Sequence, residues 1–235
     1  MSKKDRNLSN HKNKKKTLLI SCMVLGLVCA AIFALNKSNI PETNSKTCQY
    51  ELDNGLTITQ VGTYTGPYLE DASDEEVANI MSIMVTNNNE EALQYAEIIL
   101  YTESEEYLFK MSTLNPNETV VVLEADRKKF DQKNEYTGAD SQYVVFFDEQ
   151  LNTYEDSLKI QSLDGAFNIT NISDKDINGD IVVYFKDYKE KLLYGGITYR
   201  GRIEGGLKSG ELRQVMASKF SEKSTKVMFI TIAEE

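Results

Sequence analysis

A short acidic loop in the second half of the chain has the residue types and spacing of a calcium-binding loop. The first, third, fifth and sixth positions of a 12-residue EF-hand loop are matched by Asp174, Asp176, Asn178 and Gly179. The twelfth position requires a bidentate acid, but Phe185 stands there and offers no oxygen ligand. The flanking residues alternate as strands, whereas this motif needs helices. Because Asn-Gly between two strand patterns is a strong turn signal, we predict a β-hairpin turn here and no metal site.

Histidine and cysteine usage limits the catalytic chemistry that is open to the chain. The one histidine, His11, lies in the basic N-terminal segment, so a Ser–His–Asp triad or a histidine-containing zinc site is excluded beyond it. Cys22 and Cys29 lie in an apolar stretch, which leaves Cys48 alone outside it. Paired acids for glycoside hydrolysis are abundant, but the chain has no tryptophan, and a solvated acidic surface is the simpler interpretation. We predict no enzymatic activity and no cofactor.

The N-terminal 36 residues have an unusual distribution of charge. Residues 1–16 contain seven of the 26 basic residues and one of the 36 acidic residues, and residues 17–36 contain no charge. The apolar stretch has about the ~20 residues that a bilayer helix needs, and its basic flank favours a cytoplasmic N-terminus. We therefore predict a cytoplasmic tail over 1–16, a single-pass membrane helix over 17–36 and extracellular C-terminal domains. The remaining 19 basic and 35 acidic residues disfavour nucleic-acid binding.

Two other interpretations of the apolar stretch fit less well. A cleaved signal peptide needs a small-x-small site, and none is convincing between Ala34 and Pro41. A lipoprotein signal would use Cys22 as the lipidated residue, but only four apolar or small residues would precede it. An uncleaved signal anchor is therefore the preferred hypothesis.

The remainder of the chain has the pattern of an all-β protein. After a polar spacer at 37–48, short runs rich in β-branched and aromatic residues alternate with Asn, Asp and Gly clusters. We predict two tandem immunoglobulin-like β-sandwich domains, at 49–150 and 151–235. Residues 87–101 also permit a helix, but the strand patterns on both sides favour a strand there.

One stretch of the second half resembles a known family. The stretch contains Asn171-Ile172-Ser173, Lys175-Asp176-Ile177 and Tyr184-Phe185-Lys186-Asp187. These elements resemble the FxLYD-type immunoglobulin-like modules of membrane-anchored bacterial surface proteins. The pattern strand, Asn-rich turn, strand recurs more faintly at 80–101, either as an internal duplication or as two unrelated hairpins. The resemblance implies a fold and a location at the cell surface, and it implies no activity.

Two turn-rich segments are the best candidates for contact with a partner, because interfaces favour tyrosine and arginine. The candidate residues are Tyr64, Tyr68, Tyr194, Tyr199, Arg200 and Arg202. Residues 194–210 hold six of the thirteen glycines without P-loop or Rossmann spacing; turns and bulges are a simpler interpretation than a mobile binding loop.

The expected function is a non-catalytic interaction or structural module of the cell envelope that binds an envelope protein. The alternative is a sensor or accessory subunit of a membrane complex. A sensor would need a membrane partner, because a 16-residue tail is too short to fold.

Overall fold

The computed structural model describes residues 45–73 and 75–233, and its regular elements are all β-strands. The strands are β1 (Ser45–Glu51), β2 (Leu56–Pro67), β3 (Glu76–Asn87), β4 (Leu93–Thr102), β5 (Glu106–Leu114), β6 (Thr119–Leu123), β7 (Tyr136–Phe146), β8 (Leu158–Leu163), β9 (Ala166–Asn171), β10 (Ile181–Lys189), β11 (Leu192–Ile203), β12 (Leu212–Met216) and β13 (Thr225–Ile232). No helix able to cross a membrane occurs within this described part. The predicted tail and membrane helix lie outside it.

The all-β prediction is confirmed, and the ambiguous segment at 87–101 contains strand β4 rather than a helix. Three strands were not predicted. β1 begins at Ser45, inside the predicted 37–48 spacer. It was not predicted because most of its residues are polar, as is common in an edge strand. β11 was hidden by its glycines, and β12 by its short, mostly polar sequence. These strands gain their stability from pairing with neighbours, which a local pattern does not report.

The strands form one seven-stranded sheet and two three-stranded sheets. The large sheet has the order β1-β2-β3-β6-β11-β10-β13. The first small sheet, β5-β4-β7, comes from the first half of the chain, and the second small sheet, β12-β9-β8, comes from the second half. The large sheet therefore takes four strands from before residue 150 and three from after it.

Each half of the chain has its own hydrophobic core. The first core packs residues of β2, β3 and β6 against residues of the first small sheet, including Ile58, Ile83 and Ile98. The second core packs β10 against the second small sheet, and the Phe220 ring contacts the rings of both Phe167 and Phe185. Burying such side chains stabilises a fold by about 1.5–3 kcal/mol each.

The two halves share the large sheet. β6 pairs with β11 in parallel, with Val120 opposite Leu193 and Val121 opposite Tyr194. Residues 43–235 form one compact unit. The large sheet therefore continues across the predicted boundary near residue 150, and the first core also includes Leu193, Met228 and Phe229. The division into two domains stays a prediction.

A buried asparagine occupies the same position in both halves. Asn87 ends β3, and its side-chain amide donates to the carbonyls of Glu91 and Leu114, both at 2.9 Å. Asn171 ends β9 and donates in the same way to Lys175 (2.8 Å) and Leu207 (3.1 Å). Each Oδ1 accepts the backbone N–H two residues ahead, at 3.0 Å. The repeated pattern noted in the sequence thus corresponds to one repeated local structure.

The predicted hairpin at Asn178-Gly179 is wrong. Gly179 has the expected positive φ of 82°. However, β9 pairs with β8 and β12, whereas β10 pairs with β11 and β13. The connection crosses between the second small sheet and the large sheet. Asn171 holds it, together with a pair of backbone hydrogen bonds between Ile177 and Leu207, each of 2.9 Å.

The candidate calcium ligands take part in these loop contacts. Asp176 Oδ1 accepts a hydrogen bond from the Ser209 backbone N–H at 2.8 Å. In the part of the chain that the structure describes, no group of three or more His, Cys, Asp or Glu side chains is placed to hold a metal ion.

We predict that Asn171→Ala and Asn87→Ala destabilise the protein to a similar extent, on the order of 2–4 kcal/mol each. Each substitution removes two hydrogen bonds donated to carbonyls and one accepted from a backbone N–H, and each hydrogen bond contributes about 0.5–1.5 kcal/mol net. Urea unfolding of the full-length protein measures the change in the free energy of unfolding. Asn168→Ala, at a half-buried position in β9, is the control and should change it by less than about 1 kcal/mol. A small effect at one buried asparagine and a large effect at the other would contradict the equivalence.

Candidate functional site: a cleft at the junction of the two halves

A buried lysine lies where the two halves meet. Lys186 in β10 is only 1% exposed. It lies between Tyr184 and Tyr188 in a strand, so these three side chains share one face of the sheet. Both tyrosines pack against the first core, and Tyr184 stacks on Phe229 with ring centroids 4.2 Å apart. The second half therefore presents this face of β10 to the first half.

The Lys186 ammonium is fully hydrogen-bonded. Its Nζ donates to the carbonyls of Gly195 (2.9 Å), Gly196 (3.0 Å) and Ile197 (3.0 Å). Because an ammonium group carries three donors, these three acceptors satisfy it completely. The requirement that buried polar groups be hydrogen-bonded is thus met by backbone rather than by a side chain.

An enlarged bulge in β11 supplies the three carbonyls. Phe185 lies opposite Tyr199, but Asp187 lies opposite Tyr194, so residues 195–198 face a single β10 residue. We call residues 195–198 the β11 bulge. Gly195 has a φ of 82°, a conformation that other residues adopt at a cost. The predicted turns and bulges of 194–210 therefore include a real bulge, inside a long strand.

A glutamate from the first half binds the same bulge from the other side. Glu70 Oε2 accepts the N–H of Gly196 at 2.6 Å, and Oε1 accepts the N–H of Leu123 at 2.8 Å. The Gly196 residue therefore donates to Glu70 through its nitrogen and accepts from Lys186 through its oxygen. A Cβ at Gly196 would lie 1.8 Å from the Lys110 carbonyl oxygen and 2.6 Å from Glu70 Oε2. Only glycine fits between them.

Burial shifts the pKa values of both charged groups in opposite directions. Desolvation raises the pKa of Glu70, and its backbone donors and the charge of Lys186 oppose that shift. Desolvation also lowers the pKa of Lys186, and the charges of Glu70 and Glu118 oppose it. Glu118 also forms an ion pair with Lys226. Both glutamates belong to the first half and both lysines to the second, so the two halves carry complementary charges at their junction.

A cleft of about 400 Å³ opens beside this network; we call it the junction cleft. The residues that line it include Tyr68, Glu70, Lys110, Ser112, Arg127 and Ile197. Ser112 Oγ donates to the Gly196 carbonyl at 3.0 Å, which places strand β5 against the β11 bulge. The cleft wall therefore combines first-half residues with residues of the bulge.

Three of the six predicted partner-binding residues lie together. Tyr64, Tyr68 and Tyr194 belong to a third apolar cluster, which also contains Leu69 and Leu123. Tyr64 donates its hydroxyl to the Pro67 carbonyl at 2.9 Å. Tyr194 lies opposite Val121 in the parallel pairing of β11 with β6, so this cluster also spans the two halves.

Tyr68 lines the cleft, but it is buried and is not an exposed contact residue. It is 3% exposed, and its hydroxyl donates to the carbonyls of Glu124 (3.1 Å) and Ala125 (3.0 Å). Burial raises its pKa to about 12. The Arg127 guanidinium lies 4.3 Å from the ring centroid and is therefore positioned for a cation–π contact.

The other three predicted residues lie apart from the cleft, on β11. Tyr199 packs against Phe185 in the second core, with ring centroids 5.7 Å apart. Arg200 is exposed. Arg202 forms an exposed ion pair with Asp180, in which its Nε donates to Oδ2 at 3.1 Å.

Sequence reasoning missed the three residues that build the site: Glu70, Lys186 and Gly196. One signal was available, because Lys186 interrupts a run of apolar and aromatic residues in which a charge is unexpected. Glu70 and Gly196 carried no comparable local signal, since their role depends on strands that are far apart in the sequence.

No family model, curated protein or solved structure matches this chain. The resemblance to FxLYD-type modules stays a prediction.

We predict that Lys186→Met destabilises the protein on the order of 3–5 kcal/mol. Methionine keeps the length of the side chain, but it removes a donor from three carbonyls, of which Gly196 keeps Ser112 Oγ as a second donor. It also leaves Glu70 without a nearby positive charge. Lys226→Met is the control, since the Lys226 side chain is 36% exposed and its ion pair should contribute about 0–1 kcal/mol. Urea unfolding at pH 7 compares the two variants. Equal losses of unfolding free energy in the two variants would show that the hydrogen bonds from Lys186 to the three carbonyls contribute little to stability.

We also predict that Gly196→Ala destabilises the protein by about 3 kcal/mol, because the new methyl group forces β5 away from the β11 bulge. Gly138→Ala in β7 is the matched control, since a Cβ there meets no atom within 4 Å. Thermal melting of both variants beside the parent protein tests this. A Gly196→Ala variant as stable as Gly138→Ala would mean that the bulge adapts freely.

Proposed function

We propose that this protein is a non-catalytic partner-binding module of the cell envelope, and that the junction cleft is where its partner binds. The observation that supports this most directly is the cleft itself: a concave surface of about 400 Å³ at the meeting point of the two halves. Binding sites prefer such concave surfaces with a few convergent polar groups. Here the polar groups are Glu70, Lys110 and Ser112.

The chemistry of the cleft wall supports a protein partner. Tyrosine and arginine are enriched where interfaces bind most strongly, and the wall contains Tyr95 and Arg127. Tyr95 donates its hydroxyl to Glu97 at 2.7 Å, which fixes the orientation of its ring at the rim. A rigid aromatic side chain loses little conformational entropy on binding.

The proposed location follows from the charge pattern of residues 1–36. An uncharged stretch of membrane-spanning length with a basic flank favours an uncleaved anchor, with residues 1–16 in the cytoplasm and the two halves outside. We therefore propose an anchored module whose cleft faces the cell envelope.

Site-specific photo-crosslinking of the intact membrane protein in cells tests the proposal. A photoreactive amino acid at Lys110, on the rim of the cleft, should form an adduct with a discrete envelope protein. The same residue at Lys159, an exposed lysine of β8 remote from the cleft lining, is the matched control and should form none. Absence of an adduct at position 110, or the same adducts at both positions, would refute the cleft as the partner site.

A further inference from the structure

The Glu70 carboxylate has hydrogen-bonding capacity that the described residues do not use. Its oxygens accept the backbone N–H groups of Leu123 (2.8 Å) and Gly196 (2.6 Å), and the Ile197 N–H also stabilises the carboxylate, whereas an ionised carboxylate offers about four acceptor sites. Among the residues that the structure describes, no lysine or arginine nitrogen forms an ion pair with it within 4.0 Å. The nearby Lys186 ammonium is directed to the three bulge carbonyls instead. The carboxylate therefore lines the cleft with acceptor sites to spare.

The two cations of the cleft wall are already paired with acids. Arg127 binds Asp71 at 2.8 Å and Glu75 at 2.5 Å, and Lys110 lies 3.8 Å from Glu97. Glu70 interacts with the charge of Lys186, but it forms no ion pair of this kind among the described residues. The cleft belongs to a part of the chain with an excess of negative charge, since 35 acidic and 19 basic residues follow residue 16. Such an excess attracts a positively charged partner and repels an acidic one.

The apolar part of the wall suits the stem of a long basic side chain. Met111, Leu123 and Ile197 line the cleft together with Glu70. Lysine and arginine bury their methylene stems along apolar surface and keep the charged end at a polar group. A cation at Glu70 would favour the ionised carboxylate and so offset the desolvation that raises the pKa of this group.

We propose that the junction cleft receives a lysine or arginine side chain of a basic polypeptide partner, whose cation pairs with the Glu70 carboxylate. This inference rests on the proposed function and adds to it the chemical class of the partner. Glu70 is the recognition residue, and the apolar wall selects a side chain with a methylene stem.

Amide NMR of the full-length protein in detergent micelles, titrated with a small peptide, tests the inference. The probe is N-acetyl-Gly-Lys-Gly-amide, and the matched control peptide carries norleucine in place of lysine. We expect the lysine peptide to shift the amide signals of Leu123 and Gly196, which donate to Glu70, at least threefold more than it shifts amides beside exposed acids such as Glu155. The norleucine peptide should not shift the amide signals of Leu123 and Gly196 or those beside exposed acids. Equal shifts at all acidic positions, or no shift at Leu123 and Gly196, would overturn the inference.

Two variants separate binding at Glu70 from a change in the fold. Glu70→Gln removes the charge and should abolish the selective shifts, whereas Glu155→Gln should retain them. Because Glu70→Gln also disturbs a buried hydrogen bond, Ala125→Phe provides a second test. Its phenyl ring fills the cleft and leaves Glu70 in place, and it should lower the affinity for the lysine peptide at least tenfold. Retained binding in both cleft variants would overturn the inference. Photo-crosslinks at position 110 without selective shifts would leave the proposed function standing and reject only the basic side chain.

Discussion

Burying the ammonium group of Lys186 imposes requirements on several distant parts of the chain. A charged group away from water is tolerated only when its donors are satisfied and an opposite charge lies near. Three carbonyls converge on this nitrogen because β11 bulges outward over residues 195–198. The bulge in turn needs glycine at 195 for its positive φ and at 196 for the close approach of β5. Glu70 then completes the arrangement by accepting the N–H of Gly196.

This constraint explains why the two halves form one unit although each has its own core. Lys186 is buried on one face of β10, and Tyr184 and Tyr188 on the same face pack against the first core. β6 of the first half pairs in parallel with β11 of the second half, with Val120 opposite Leu193 and Val121 opposite Tyr194. The stacked Tyr184 and Phe229 add an aromatic contact on the same face. A chain cut near residue 150 would expose this apolar face and leave the lysine without its first-half carboxylates.

The junction cleft is a by-product of the same geometry. The bulge holds Gly196 and Ile197 away from a regular strand position, and Glu70 reaches them from the first half, so an open space remains beside β5. That space contains a carboxylate whose charge is only partly compensated. A site of this kind can recognise a cation without any catalytic group, which is consistent with the binding role that we propose. Its placement between the halves also means that a bound partner would contact both of them.

The sequence by itself determined the all-β class and the positions of ten of the thirteen described strands, including the strand rather than a helix within 87–101. These features are local: period-two patterns and turn residues specify strands through short-range sterics and one-sided burial. It also predicted positive φ at Gly179 and a bulge among the glycines after Tyr194. It did not predict that Asn178-Gly179 lies in a crossover between sheets, because the same turn chemistry serves either connection.

Only the tertiary structure decided the site. Tyr68 was an attractive contact residue by type, yet it is buried with its hydroxyl satisfied. Glu70 and Lys186 are separated by more than a hundred residues and meet through the peptide groups of Gly196, an arrangement that no local pattern encodes. Strand partners, register and the burial of a charge depend on contacts between distant segments. The physical reason is that the free energy of a buried charge is set by what surrounds it in space, not by its neighbours along the chain.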